Sequence, residues 1–210
     1  MNLFLKNLNA KGGNMKSILF IVSFVISLSA FAQFRIGDVS YGGNGCPNGS
    51  ASVAMTEDRK TISVLFDQFK AEAGNTTGKR VDRASCNLRI PLQVDPGYSV
   101  ALIKIDYRGF SAVPVGGSAT FDAEYFFAGA KGPKHNKKFN KHTKAEFLLS
   151  NPVEVQVWSA CGKNIMFGIN ASATAITNSS MEQTMMIIDS ADINIENPGI
   201  IYSFTTRRCN

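Results

Sequence analysis

The sequence predicts an all-β fold: an antiparallel β-sandwich of jelly-roll or Greek-key type with about ten strands. Three observations predict it. Apolar residues alternate with period two along most of the chain, the signature of strands with one buried face. Clusters of Gly, Asn, Asp and Pro punctuate these runs. No stretch carries the i, i+3, i+4 apolar stripe of a long amphipathic helix.

Taken in order, Ala51, Val53 and Met55 share one strand face, as do Ile62, Val64 and Phe66. The segment 67–73 reads as a strand end and loop. Leu88, Ile90, Leu92 and Val94 alternate with Asn87, Arg89, Pro91 and Gln93. Ala101, Ile103, Ile105 and Tyr107 form the next set, followed by Phe121, Ala123, Tyr125 and Phe127. Val153, Val155 and Val157 read as a further strand. Ile165, Phe167, Ile169, Ala171, Ala173 and Ala175 predict a long strand with small residues at one end. Ile193 and Ile195 lead through the turn Asn197-Pro198-Gly199 to a last strand at Ile200, Tyr202 and Phe204. The turns between are Gly42-Gly43-Asn44-Gly45, Asn48-Gly49, Gly74-Asn75, Asp95-Pro96-Gly97, Gly116-Gly117 and Cys161-Gly162.

The chain has 210 residues, 44% hydrophobic and 18% charged, which excludes a disordered chain, a collagen repeat and a coiled coil. Met15-Lys16 opens a basic n-region, 17–28 is an apolar h-region, and Ala30-Phe31-Ala32 is an A-x-A cleavage site. The expectation is a Sec signal peptide over 15–32, cut after Ala32. Its apolar run is too short to span a hydrocarbon core of roughly 30 Å. Residues 1–14 are expected to be untranslated leader. Codons for Lys11-Gly12-Gly13 can carry a purine-rich ribosome-binding stretch just before Met15, which would make Met15 the true start and the source bacterial. The remainder, 33–210, reads as one domain, secreted or periplasmic. A chain of this size buries roughly 70% of its unfolded surface, enough for one core.

Cys46, Cys86, Cys161 and Cys209 all lie in the exported part. An even count in an exported chain predicts two disulfides. The wide spacing fits no zinc site. Three pairings are open, and the expectation taken is the near-neighbour one, 46–86 with 161–209. The formal charge of +6 is unevenly spread. Export removes Lys6, Lys11 and Lys16 and leaves +3. Lys131, Lys134, Lys137, Lys138, Lys141 and Lys144 crowd into one acid-free segment, so the rest of the exported chain is −3.

Several motifs occur together in order: Asp38-Val39-Ser40-Tyr41 leading to Gly45-Cys46-Pro47-Asn48-Gly49-Ser50, then Ser63-Val64-Leu65-Phe66-Asp67-Gln68-Phe69 and Cys86-Asn87-Leu88. Asp106-Tyr107-Arg108-Gly109, Trp158-Ser159-Ala160-Cys161-Gly162 and Arg208-Cys209 complete them. The chain resembles the secreted family catalogued as domain of unknown function 4360 over nearly all of 36–209. It departs from the usual Ser-Pro-Cys-Gly at Ala160 and carries the lysine-rich insert. The resemblance implies an exported, disulfide-bearing, β-rich domain. It implies no activity and carries over no catalytic residue.

The lysine segment 131–144, which also holds His135, Phe139 and His142, reads as a loop projecting from the sandwich. Six lysines would set up a positive potential for an anionic envelope polymer or membrane surface. A solvated, solubilising loop is the plainer reading. One aromatic is too few for base stacking, so nucleic acid is not an expected partner. Asp106 and Arg108 fall on one strand face, a candidate ligand-gripping pair or a structural ion pair, with Tyr107 on the opposite face. Trp158 is a candidate sugar platform or a cover for a disulfide. Both histidines lie in the lysine segment, flanked by cations, so neither a nucleophilic triad nor a metal site is expected. H-E-x-x-H, G-x-S-x-G and P-loop motifs are absent from the sequence. The expectation is a non-enzymatic exported protein with a structural or binding role at the cell envelope or outside the cell, without cofactor. The alternatives are a carbohydrate-binding or carbohydrate-active protein, the latter a two-carboxylate hydrolase using Asp106 with a second acid, and a polyanion binder through the lysines.

Overall fold

The structure, a computed structural model, describes residues 34–127, 129–140, 142–188 and 200–209. The signal segment, the Met15 start, Lys141, the Ile193–Ile195 pair and the turn at 197–199 lie outside the described residues.

Thirteen strands and no helix are formed by the described residues. They are β1 (Phe34–Ile36), β2 (Ser40–Gly42), β3 (Ala51–Met55), β4 (Thr61–Phe66), β5 (Lys70–Ala73), β6 (Val81–Val94) and β7 (Tyr98–Val113), then β8 (Ser118–Phe127), β9 (Ala130–Phe139), β10 (Thr143–Pro152), β11 (Ile165–Ile176), β12 (Thr184–Ile188) and β13 (Ile200–Arg208). One sheet has the order β1-β6-β11-β8-β9 with β2 added beside β6. The other runs β3-β4-β13-β7-β12-β5, with β10 on the far side of β7. Neighbouring strands in both sheets are antiparallel.

Period-two alternation explains why these sheets stack. Along β8, Ala119, Phe121, Ala123, Tyr125 and Phe127 are buried while the residues between them are half-buried. The same rhythm buries Leu88, Ile90 and Leu92 on β6 and Ile200, Tyr202 and Phe204 on β13. Ring contacts join the two sheets: Phe167 meets Tyr202 at 4.9 Å, Tyr107 meets Phe121 at 4.9 Å, and Phe34 meets Phe204 at 5.4 Å. These edge-on pairs lock the layers through one shared core.

Both disulfides close loops of similar length. Cys46–Cys86 ties the loop after β2 to the middle of β6, and Cys161–Cys209 ties the segment before β11 to the end of β13. In the chain-entropy picture each contributes about 4 kcal/mol. The first needs a glycine beside it. Gly43 has φ +134°, and a Cβ there would lie 2.1 Å from the Ser85 carbonyl oxygen, so only glycine lets this loop lie flat against β6.

Three sequence expectations are corrected. The lysine segment is not a projecting loop: 130–139 is the edge strand of the first sheet, paired to β8, and 143–152 is an edge strand of the second, paired to β7. Backbone pairing to β8 and to β7 holds these two strands although few of their side chains are apolar. Conversely, Val153, Val155 and Val157 alternate but form no strand. The Val153 amide donates to the Ile103 carbonyl at 2.8 Å, and the chain then leaves the sheet with Val155 80% exposed. The segment 67–73 holds a short strand, β5, paired to β12.

Candidate functional site

Each outward position of the first sheet is set by register, and the strands line these positions up in rows. Asn87 on β6, Asn170 on β11, Glu124 on β8 and Lys134 on β9 form one row. Ser85, Ser172, Asp122 and Asn136 form the next. Together with Arg83 they line a depression of about 360 Å³ on the outer face of the sheet. Opposite each of these side chains, the same strands present core residues, because alternation sends polar groups out wherever apolar ones go in.

The side chains are held by one another. The Arg83 guanidinium donates to Ser172 Oγ at 3.0 Å, and the Asn136 amide donates to Asp122 Oδ1 at 2.5 Å. Lys134 Nζ lies 3.6 Å from Glu124 Oε1. Arg89 donates to Asn170 Oδ1 at 3.3 Å from the adjoining row. The Ser85 amide donates to Asn44 Oδ1 at 2.8 Å, so the loop stapled by Cys46–Cys86 fixes that wall. In the adjoining row Gly168 sits between Arg89 and the outward, half-buried Phe126. A Cβ on Gly168 would lie 3.5 Å from Phe126 Cβ, so the missing side chain leaves that side of the Phe126 position open. The face thus offers amides, hydroxyls, carboxylates and cations in near balance, with one aromatic at its margin. That mixture of donors and acceptors suits a neutral polyhydroxylated ligand. Two carboxylates, Asp122 and Glu124, share the depression. The acid partner of a glycosidase sits in apolar surroundings, whereas these two sit among Arg83, Lys134, Asn136 and Asn170.

A second cleft opens at the edge of the sandwich. Its walls are Leu102, Tyr125, Phe127, Ala130, Lys131 and Gly132 on one side and Val153, Val155 and Val157 on the other, around about 180 Å³. His135 lies beside it, half-buried, its ring 5.9 Å from that of Tyr107 and 6.4 Å from that of Tyr125. Burial holds the imidazole below its usual pKa and pushes the Tyr125 hydroxyl up to about 12.

The residues singled out from sequence are not assembled into one site. Asp106 accepts from Ser150 Oγ at 2.5 Å and pairs with Lys104 Nζ at 2.9 Å, on the outer face of the second sheet. Arg108 is half-buried two positions along the same face, and Tyr107 is a core residue behind them. Trp158 bridges to Ala101, about 17 Å along β7 from Asp106. The Arg207 guanidinium lies 4.1 Å from its ring centroid, so a cation occupies one face of the ring. Lys131, Lys134, Lys137 and Lys138 are exposed on β9, and Lys144 is exposed on β10. Among the described residues no cluster of three or more His, Cys, Asp or Glu side chains is arranged to hold a metal ion.

The depression was missed because its members are far apart in sequence and unremarkable singly. The available signal was the identity of the outward positions, Arg, Ser and Asn on β6 with Asn and Ser on β11, in strands already predicted.

Comparison with known proteins bears on the whole domain. The family model described as Domain of unknown function (DUF4360) matches residues 32–209. An uncharacterized secreted protein of Arthroderma benhamiae is 29% identical over 174 residues, covering 78% of this chain and 68% of that protein. Among solved structures, that of TmCBM61 in complex with beta-1,4-galactotriose overlaps 85% of this chain and 90% of that one, at 11% identity and a TM-score of 0.24. So slight a likeness says nothing of the ligand here.

Proposed function

We propose, from the premise that this chain belongs to the family described as Domain of unknown function (DUF4360), that it is an exported, non-enzymatic β-sandwich that binds a carbohydrate on the outer face of its six-stranded sheet. The observation that carries this reading is the depression built by Asn87, Asn170, Asp122, Asn136 and their neighbours. Four strands hold these groups, so they are positioned before any ligand arrives, which lowers the cost of binding. Phe126 supplies an apolar surface beside the polar one, and most sugars present both kinds of face. The polar surroundings of Asp122 and Glu124 favour binding over hydrolysis.

Export supports the same reading. The A-x-A segment ending at Ala32, the two disulfides and a relative described as secreted fit a protein that works outside the cytoplasm. A start at Met15 and a bacterial cell envelope are the setting proposed for it, resting on the purine-rich codons available to Lys11-Gly12-Gly13. Sequencing the N-terminus of the protein collected outside the cytoplasm checks the cleavage after Ala32; a first residue other than Gln33 overturns it.

A glycan array followed by calorimetry tests the binding. The expected result is a neutral oligosaccharide ligand whose affinity falls at least tenfold in Asn87→Ala and Asn170→Ala with unchanged melting temperature. Absence of any glycan ligand, or a ligand indifferent to both substitutions, overturns the reading.

A second reading has its own observation. Four lysines exposed along β9 make that edge a site for an anionic polymer or membrane surface. Sedimentation with anionic vesicles, repeated at rising salt, separates it from the first. Binding to a neutral sugar is insensitive to salt, whereas release of condensed counterions makes polyanion binding fall steeply.

A further inference from the structure

We propose that β10 is a dimerisation edge, through which two copies of this chain join their second sheets by antiparallel pairing about a two-fold axis at Leu148.

The edges of the sandwich are unequal. β1, β5 and β3 are edges of three, four and five residues, short enough to offer a poor template. β9 is ten residues long but carries four exposed lysines and a shift of register. β10 is also ten residues long, and Phe147-Leu148-Leu149 stands at its centre. Leu148, opposite Arg108, points to the outer face and is 56% exposed. Phe147 and Leu149 point between the sheets and are half-buried, on the open side of the sandwich where Phe147 meets Phe139 at 4.9 Å. A long edge left apolar at its centre is the kind that pairs with another chain.

Bonds to β7 set which backbone groups are left for a partner. The Val153 amide donates to the Ile103 carbonyl, so the odd-numbered residues of β10 turn their backbone groups towards β7. Lys144, Glu146, Leu148 and Ser150 turn theirs the other way, where the described residues place no strand. Pro152, which has no N–H, falls on the same free side, so it costs the pairing with β7 nothing.

The sequence of β10 fits a second copy of itself. Centred on Leu148, antiparallel pairing sets Leu148 opposite the partner subunit's Leu148 and Phe147 opposite the partner subunit's Leu149. Glu146 then faces a serine and Lys144 a proline, so apolar groups meet and like charges do not. Neighbouring registers lose this match. Centring on Glu146 opposes two carboxylates, centring on Phe147 opposes Leu148 with a glutamate, and centring on Leu149 opposes Phe147 with an asparagine. The axis is normal to the sheet, so the depression on the first sheet stays uncovered in both copies and the dimer does not depend on the sugar-binding reading. The β9 edges of the two copies approach each other, and salt screens the repulsion between their lysines.

Sedimentation velocity of the exported, disulfide-bonded protein over a concentration series tests the interface. The expected result is a monomer–dimer equilibrium that tightens as salt is raised. Leu148→Glu, facing Arg108 in its own sheet, should be a folded monomer, because two carboxylates then oppose each other across the axis. Leu148→Lys should also be monomeric, and mixing the two variants should restore a dimer. Leu148→Pro removes a free-edge N–H and no bond to β7, and should weaken the dimer about tenfold or more for the two hydrogen bonds lost across the axis. Melting temperatures at low concentration confirm that each variant is folded. A wild type that stays monomeric at every concentration overturns the proposal. So does a dimer that survives Leu148→Glu, a dimer loosened by salt, or a mixture of the two charged variants that stays monomeric.

Discussion

Strands β8 and β9 are ten residues each, hydrogen-bonded to one another, and opposite in character. β8 buries every second residue between two neighbours. β9 carries Lys131, Lys134, Lys137 and Lys138 and is largely exposed. The register between them shifts from Glu124 to Phe126, opposite Gly132 and Pro133. The difference teaches that β8 is specified by its own buried side chains, while β9 takes its place through backbone pairing to β8. Lysine, proline and a bulge are the means by which edges avoid pairing with other chains.

The contrast can be broken by substitution. Phe121→Ala on β8 removes a fully buried ring in edge-on contact with Tyr107, and should cost about 3–5 kcal/mol in denaturant unfolding. A loss under 1 kcal/mol would mean that β8 is not the core strand described.

Gly132→Ala is the exception that β9 should show. Its new Cβ would meet the Tyr125 ring, so overpacking of about 1–3 kcal/mol is expected, against a few tenths at most positions of an edge strand. A neutral result would show that β9 lies farther from the ring.

His135 sharpens the contrast through pH. Burial disfavours its charged form, so the unfolded chain takes up a proton at higher pH than the folded one. Its contribution is therefore complete above the unfolded value near 6.5 and is lost as pH falls from there towards the lower folded value. Wild type minus His135→Gln, measured by denaturant midpoints across pH 4 to 8 (about the range that brackets the unfolded value), should slope upward with pH in that window. A flat difference would place the imidazole in water.

The smallest effect belongs to the lysines. Replacing Lys131, Lys134, Lys137 and Lys138 with Gln should change stability by no more than about 0.5 kcal/mol per site, since each is exposed and the one ion pair, with Glu124, is long and solvated. Heparin affinity, if the edge binds polyanions, should fall in the same variant with a shallower dependence on salt. Deleting 131–144 is a different experiment, because it strips the edge strand from β8.

Much of this fold was legible in the sequence. Period-two alternation marked out β3, β4, β6, β7, β8, β11 and β13, because a strand buried on one face must write that face into every second residue. The near-neighbour cysteine pairs expected from the sequence are those the structure joins, though spacing alone left three pairings open. Tertiary structure alone decided the rest. β9 and β10 are invisible to alternation because their described residues are exposed or half-buried and write no buried face into every second position, and Val153–Val157 misleads it because alternation without a partner strand makes no strand. The depression depends on register among four strands whose residues lie up to 89 apart, as Arg83 and Ser172 do. A shift of one residue in any strand would turn those groups inward. Asp106 and Trp158, conspicuous in sequence, were taken up by Lys104, Ser150 and Arg207. Local pattern records whether a residue faces in or out. Which outward residues meet is decided by the pairing of strands, and pairing is a property of the whole chain.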